Sequence, residues 1–448
     1  MVGQELIASP TRVCERGGMR FLFVGLNFSP ELVGIGKYSG ELIERFAQSY
    51  PVSVISALPH YPAWQIHPSE RKRRWKLDER YSYPVRRVPI YVPALPSITR
   101  RIAHQVSFAA AITPAALYEA LRFKPDVIAT VAPALMAAPI VGGIARLIGA
   151  RSWLHVQDFE VDVASGLSMI KHRRASAFAA AVEQRILRSF DLVSSISPIM
   201  VSHLAAKGVA PERVAMFPNW VDTSVIRPVA SSFFRTEWRL RESAIVVLYS
   251  GSMGRKQGLE YVVDAARRLQ NEREIFFVFC GEGTARKEIE ARARGLAQVR
   301  FLDLQPADRL SELLGAADIH VLPQRAGAEG LVMPSKLGPM LASGRPIVAT
   351  ADQTSPIAEM IKGCGILVPP EDTQSLADTI RRLATATEQR RVLGAQARLT
   401  AERELSQDAI LSRIEQCLLK LGSRGPISAA ERFGGGEALK VMGSSSHG

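Results

Sequence analysis

At 448 residues the chain is long enough for about two to three domains of roughly 150 residues each. Its 47% hydrophobic and 22% charged residues give a globular composition, which excludes collagenous, disulfide-stapled and wholly disordered classes. The formal net charge is +13, and residues 1–222 carry +9 of it, so an anionic partner is expected chiefly of the first half.

Residues 1–18 read as an N-terminal extension in which Glu5, Arg12, Glu15 and Arg16 break any apolar signal core, so export is not expected. Short apolar runs then alternate with helical patterns. Phe21–Gly25, Val52–Ile55, Val127–Val131, Trp153–Val156, Leu192–Ile196 and Val214–Phe217 are predicted strands, with helices such as Lys37–Gln48 and Ala175–Ser189 between them. Val127–Ala145 carries no charge and nearly reaches the ~20 residues of a membrane span. Pro133, Pro139, Gly142 and Gly143 interrupt it, so a buried strand followed by a buried helix is the preferred reading. After a pause at Pro218–Asp222 a second series begins, with strands at Ile245–Ser250, Ile275–Phe279, Val299–Leu302, Ile319–Leu322, Ile347–Thr350 and Ile366–Val368.

Strand-helix alternation of this kind implies βαβ units. The fold class is therefore α/β, with two doubly wound Rossmann-like parallel-sheet domains facing across a cleft and joined near Asp222–Arg241. The expected domains are 19–222, completed by a C-terminal helix 405–421, and 223–404; residues 423–448, rich in Gly and Ser, read as a flexible tail. Cys14, Cys280, Cys364 and Cys417 are far apart with no CxxC pair, which suits reduced structural thiols in a cytoplasmic protein better than a metal site.

Several loops could do chemistry. Gly34 and Gly36, after the first strand, open a helix and could admit an anion; a plain βα turn is the alternative, and GxGxxG is absent. At the start of the second series Gly251 and Gly254 stand beside Arg255 and Lys256, a grouping that suits a diphosphate, while the lack of GK[ST] removes a P-loop NTPase. Gly281 and Gly283 form another turn after a strand. Glu329 and Gly330 lie in a glycine loop followed by Pro334, Ser335 and Lys336, where Pro334-Ser335 would open a helix; the segment could offer a carboxylate to sugar hydroxyls and N–H groups to phosphate.

These motifs include NFSPELVGIGKYSGEL from Asn27, LHVQDFEVD from Leu154, FPNWVD from Phe217, YSGSMGRKQGLE from Tyr249, FCGEG from Phe279, and EGLVMPSKL with LASGRPIVA from Glu329. In this order, over about 400 residues, they resemble the retaining glycosyltransferase family four of GT-B fold, in its bacterial exopolysaccharide, O-antigen and colanic-acid branch.

The resemblance implies transfer of a sugar from a nucleotide diphosphate donor in the second domain to an acceptor in the first. Arg255 and Lys256 correspond to the basic residues at the donor diphosphate, with Gly251, Gly281 and Gly283 around it. Glu329 corresponds to the first carboxylate of the E-x7-E motif and handles the donor sugar. Gly330, Pro334, Ser335 and Lys336 lie beneath the diphosphate. Leu302 and Leu304, in the Phe301–Pro306 loop, meet the nucleobase; Gly34 and Gly36 approach the phosphates; His155 or Asp158 stands at the reaction centre. The second motif carboxylate falls on Leu337 or Pro339, neither of which can replace it, and Gln257 stands where the family often has Lys.

A basic diphosphate clamp would stabilise the leaving group, so no metal or other cofactor is expected. The run Arg71, Lys72, Arg73, Arg74, Trp75 and Lys76, followed by Arg86-Arg87 and Arg100-Arg101, suggests docking on the anionic cytoplasmic face of the inner membrane, toward a lipid-diphosphate-linked saccharide acceptor; a solvated loop is the alternative. No aromatic-interleaved basic module points to nucleic acid. The expectation is thus a metal-independent, retaining transferase of cell-surface polysaccharide. The rivals are a nucleotide-sugar epimerase of the same fold and an inactive partner in an assembly complex.

Overall fold

The computed structural model describes residues 18–31, 34–72, 74–94, 98–159, 173–229, 233–326 and 334–434. They fall into two compact units: unit 1 comprises the residues up to Phe217 and those from Leu411 on, and unit 2 is Pro218–Ile410.

Unit 1 is built on β1 (Phe21–Gly25), β2 (Val52–Ala57), β3 (Val85–Val88), β4 (Val127–Ala132), β5 (Arg151–Val156), β6 (Leu192–Ser195) and β7 (Val214–Met216). Every neighbouring pair is parallel and the order is β3-β2-β1-β4-β5-β6-β7. β1, β2 and β4 are buried along their whole length, as parallel strands covered on both faces by helices must be. Helix Gln407–Gly422 adds to this unit, with Tyr50 donating to Glu415 at 2.7 Å and Arg413 donating to the Met216 carbonyl at 2.8 Å.

Unit 2 repeats the plan with β8 (Ile245–Ser250), β9 (Ile275–Cys280), β10 (Val299–Leu302), β11 (Ile319–Pro323), β12 (Ile347–Thr350) and β13 (Gly365–Val368), all parallel in the order β10-β9-β8-β11-β12-β13. Both sheets reverse direction of growth at their first strand, between β1 and β4 and between β8 and β11. At such a switch point the loops part and leave a crevice beyond the carboxyl ends of the strands.

The structure corrects several expectations. β3 was not predicted: its Val-Arg-Arg-Val sequence hides two inward valines behind a pair of arginines. Val127–Ala145, by contrast, divides as expected into β4 and helix Ala138–Ile148, and no helix among the described residues is long and apolar enough to cross a membrane. The supposed connection Asp222–Arg241 is packed into unit 2, where Phe234 and Trp238 join the core around Leu248 and Leu341. Residues 423–434 are not a loose tail: Ser428 and Glu431 form a capping box on helix Ala429–Phe433, Glu431 pairs with Lys420 at 2.6 Å, and Phe433 is buried. The described cysteines Cys280, Cys364 and Cys417 are free and buried.

Candidate functional site

In unit 2 the candidate residues gather at the ends of β8, β9 and β11. Gly251, directly after β8, has its N–H on the Cys280 carbonyl at 2.9 Å. Gly281, directly after β9, has φ +142°, and a Cβ there would lie 2.0 Å from the Gly251 carbonyl oxygen, so the two turns cross backbone on backbone and only glycine fits. The turns are tied again where Met253 N–H donates to Glu282 O at 2.7 Å and Ala285 N–H donates to Met253 O at 2.9 Å, which encloses Gly283.

Lys336 adjoins this crossing of the turns. Its Nζ donates to the Tyr249 hydroxyl at 2.6 Å, lies 4.4 Å from that ring's centroid, and would be 3.1 Å from a Cβ on Gly251. Tyr249 is buried, and burial pushes its phenol above the ordinary range, so the hydroxyl keeps its hydrogen and gives it to the Ser252 carbonyl. Burial also pulls the Lys336 ammonium down to about 8. No carboxylate balances it among its described partners, so an incoming anion would recover energy that folding spent on desolvation.

Arg255 and Lys256 occupy a short turn, Arg255–Gln257, and both are exposed. The turn is pinned by Gln257 accepting from Gly254 N–H at 3.0 Å and by Lys256 O accepting from Arg325 N–H at 3.3 Å, while the Arg255 guanidinium lies 3.9 Å from Glu288. Pro334 and Ser335 do not open a helix as expected. They and Lys336 precede helix Leu337–Ala342, and Leu337, one position proposed for the second carboxylate, is wholly buried in the core. Glu329 and Gly330 lie outside the described residues. Leu302 accepts from Gly281 N–H at 3.1 Å, and Leu304 is exposed in the loop beyond β10.

In unit 1, Gly34 has φ +61° and caps helix Ile35–Ala47. A Cβ on Gly36 would fall 2.6 Å from that of Glu31, whose buried side chain folds beneath the turn. His155, the penultimate residue of β5, is 8% exposed; its Nδ1 lies 2.8 Å from Ser194 Oγ, which also accepts from Trp153 Nε1 at 2.8 Å. Burial lowers its pKa to about 4, so the ring is neutral at pH 7, and its Nε2 faces the Gln157 side-chain amide nitrogen at 3.2 Å. Asp158 follows three residues later, partly exposed.

The basic run divides. Arg71, Lys72, Arg74, Trp75 and Lys76 are exposed, and Arg73 lies outside the described residues. Arg87 is no surface charge: it is fully buried, donating to Asp78 Oδ2 at 3.0 Å, to Ala57 O at 3.3 Å and to Ser29 O, so it locks the basic segment to the ends of β1 and β2.

Sequence reasoning passed over Tyr249, Arg286 and Arg325. Arg325, two residues past β11, pairs with Glu260 and stands 5.9 Å from the Tyr261 ring centroid. Arg286 donates to Gly281 O at 3.0 Å, Glu290 at 2.8 Å and Glu282 at 2.5 Å, and pairs with Asp303 at 2.7 Å, so one guanidinium fastens the turn after β9 to the loop after β10. The only signal for either was an arginine near a glycine turn, which many surface arginines share.

Residues 244–386 match the family model described as Glycosyl transferases group 1, and residues 33–220 match that of the Glycosyl transferase 4-like domain. A relative from Escherichia coli (strain K12), the glycosyl transferase WcaI named for colanic acid biosynthesis, is 40% identical over 405 residues, covering 88% of this chain and 98% of its own length. Among solved structures, sucrose-phosphate synthase from Thermosynechococcus elongatus aligns with a TM-score of 0.69 at 17% identity, over 91% of this chain and 100% of that one. HepE of Anabaena, in complex with UDP-glucose, aligns with a TM-score of 0.64 at 17% identity, over 90% of this chain and 100% of that one. At such identity the two structures speak for the fold alone.

Proposed function

Because the chain belongs to the group 1 glycosyltransferases and has their GT-B fold, we propose that it moves a sugar from a nucleotide diphosphate donor in unit 2 to a lipid-diphosphate-linked saccharide on unit 1. The relative's name directs the reading to a cell-surface polysaccharide of the colanic-acid kind. The observation that carries it is the partly buried Lys336 ammonium, set under Gly251 against Tyr249 without a carboxylate among its described partners.

In this reading Lys336 and the exposed Arg255 and Lys256 take the diphosphate, Glu329 holds the donor sugar, and Leu302 and Leu304 meet the base. Gly34 and Gly36 approach the phosphates from the first unit's turn, and His155 or Asp158 stands at the reaction centre. Positive charge gathered on the leaving diphosphate does the work of a metal ion, so transfer is expected to persist in EDTA. The acceptor hydroxyl attacks from the face the nucleotide leaves, which keeps the anomeric configuration; the departing phosphate takes its proton.

The exposed basic run and one face of helix Ile98–Phe123 support membrane docking at the cytoplasmic side of the inner membrane. Ile102, Val106, Leu117, Tyr118 and Leu121 are all exposed on that helix, and Arg86 links it to the run, its guanidinium 5.6 Å from the Tyr118 ring centroid and donating to Trp75 O at 3.2 Å.

Calorimetric titration of the full chain with uridine, guanosine and adenosine diphosphates tests the donor site. One of them is expected to bind, and Lys336→Met to weaken it by ~10- to 150-fold, the worth of one charge-assisted contact. Since Lys336 loses its proton above about pH 8, affinity should hold steady below that value and decline above it. Equal affinity in wild type and Lys336→Met would refute the assignment; release of free sugar without an acceptor would mark an epimerase.

A further inference from the structure

Unit 1 contains a group of side chains that the scheme above leaves unused, at the carboxyl ends of β1 and β2 beside the Gly34 turn. Glu31, in the turn after β1, accepts from Asn27 Nδ2 at 2.8 Å, His60 N–H at 2.9 Å and Tyr61 N–H at 3.0 Å, so it fixes the loop after β2 against the loop after β1. That loop carries His60 and Trp64. His104, from helix Ile98–Phe123, completes the group: its ring centroid is 4.9 Å from that of His60 and 5.5 Å from that of Trp64.

The proton positions of both imidazoles follow from their partners. His60 Nδ1 faces the Leu58 carbonyl at 3.0 Å and Glu31 Oε1 at 3.5 Å, both acceptors, and His104 Nδ1 faces the Tyr91 carbonyl. Each Nδ1 must therefore carry the hydrogen, and each Nε2 is left with a free lone pair that no described hydrogen bond uses. Burial lowers the pKa of both rings, so they are neutral acceptors near pH 7. The rings are 4% and 3% exposed, whereas the rim around them is open: Tyr61 is 41% exposed, and Arg101 is exposed with its guanidinium 5.6 Å from the Trp64 ring centroid. Trp64 itself has φ +51°, a left-handed conformation unfavourable for a non-glycine residue, so the loop holds the indole in place at a local cost.

A flat indole, two hydrogen-bond acceptors and a nearby cation are the contacts that a sugar ring seeks from a protein: its C–H face packs on the indole while its hydroxyls donate to imidazole nitrogens. We propose that His60, His104, Trp64 and Arg101 form a saccharide subsite that receives a sugar of the acceptor, with Arg101 directed at an anionic substituent or linkage. Glu31 acts as a positioning residue, since it touches the loops and not the sugar. The proposal rests on the glycosyltransferase reading given above.

The test uses the full chain, octyl glycosides of two neutral hexoses and of a hexuronic acid as probes, and tryptophan fluorescence together with saturation-transfer NMR as readouts. His104→Asn keeps an N–H for the Tyr91 carbonyl and removes only the Nε2 acceptor; His104→Gln returns a polar atom near the Nε2 position. At least one glycoside is expected to bind, to lose tenfold or more in affinity in His104→Asn, and to regain part of it in His104→Gln. Nucleoside diphosphate affinity should be unchanged in both, and melting temperature should fall at least as far in His104→Gln, which gives up the Tyr91 contact, so that glycoside affinity regained there is not a gain in stability. Binding of the nucleotide with no binding of any glycoside, or glycoside binding indifferent to His104→Asn, would overturn the subsite. Failure of every nucleotide to bind would instead strike the parent reading, because no glycoside measurement enters it.

Discussion

Arg87 and Asp78 show how far a residue's role can depart from its appearance in the chain. Next to Arg86, and close behind a run of basic residues, Arg87 reads as surface charge; in the fold both its side chain and that of Asp78 have no solvent exposure. Burial alone would raise the Asp78 pKa, but hydrogen bonds from Arg80 and Arg87 and their charges bring it down to about 2. Removing Arg87 leaves Asp78 to Arg80 alone and takes the donors from the Ala57 and Ser29 carbonyls, at a cost of ~3 kcal/mol, the low end for a broken buried pair. Arg87→Met should therefore lower the urea-derived unfolding free energy by that amount, several times more than Lys72→Met in the exposed run. The sign with pH follows: a carboxyl whose folded pKa is depressed stabilises the fold above its unfolded value near 4, and that support fades as pH falls toward 2. Asp78→Asn should flatten the acid limb of stability measured between pH 5 and pH 2, and an unchanged limb would mean that other carboxylates set it.

At the scale of elements, strands buried on both faces announced themselves as continuous apolar runs, which is why β1, β4, β8 and β9 were legible. β3 was not, because its four residues include two arginines, one neutralised only by Asp78, a partner that folding supplies. The glycine turns were legible as turns, but not what they cross. Gly281 and Gly295 both have positive φ, yet a Cβ at Gly281 meets the Gly251 carbonyl at 2.0 Å while one at Gly295 meets nothing within 4 Å. Alanine at Gly295 should cost only the ~1–2 kcal/mol of its left-handed backbone and leave nucleotide affinity intact. Alanine at Gly281 should push the turn after β8 away from Lys336, lowering nucleotide affinity at least tenfold as well as the melting temperature. Titration and thermal scans on the two variants separate the cases; equal affinities would show that the crossing of the turns does not shape the donor site. The pairing of Lys336 with Tyr249 was invisible for the related reason that 87 residues separate them.

For the molecule as a whole, charge is the quantity that predicts behaviour. Of the net +13, the first 222 residues carry +9, and in unit 1 the exposed Arg71, Lys72, Arg74 and Lys76 adjoin Trp75 and, through Arg86, the apolar face of helix Ile98–Phe123. Each basic side chain near an anionic bilayer adds ~1 kcal/mol of attraction, and salt screens it over a length of ~10 Å at 0.1 M that shortens to ~3 Å at 1 M. Exposed leucine and tyrosine side chains contribute an attraction of a different kind, one that salt does not screen. The two contributions can be read separately by sedimenting the chain with vesicles of phosphatidylcholine, with or without phosphatidylglycerol, in rising salt. Wild type should bind the anionic vesicles, weaken as salt rises and retain a salt-resistant remainder. Replacing Arg71, Lys72, Arg74 and Lys76 by Ser should remove the salt-sensitive part, whereas Leu117→Ser with Leu121→Ser should remove the remainder at unchanged melting temperature. Binding that ignores both salt and the basic residues would mean that this surface is a solvated face, and that the acceptor reaches the enzyme without the help of membrane charge.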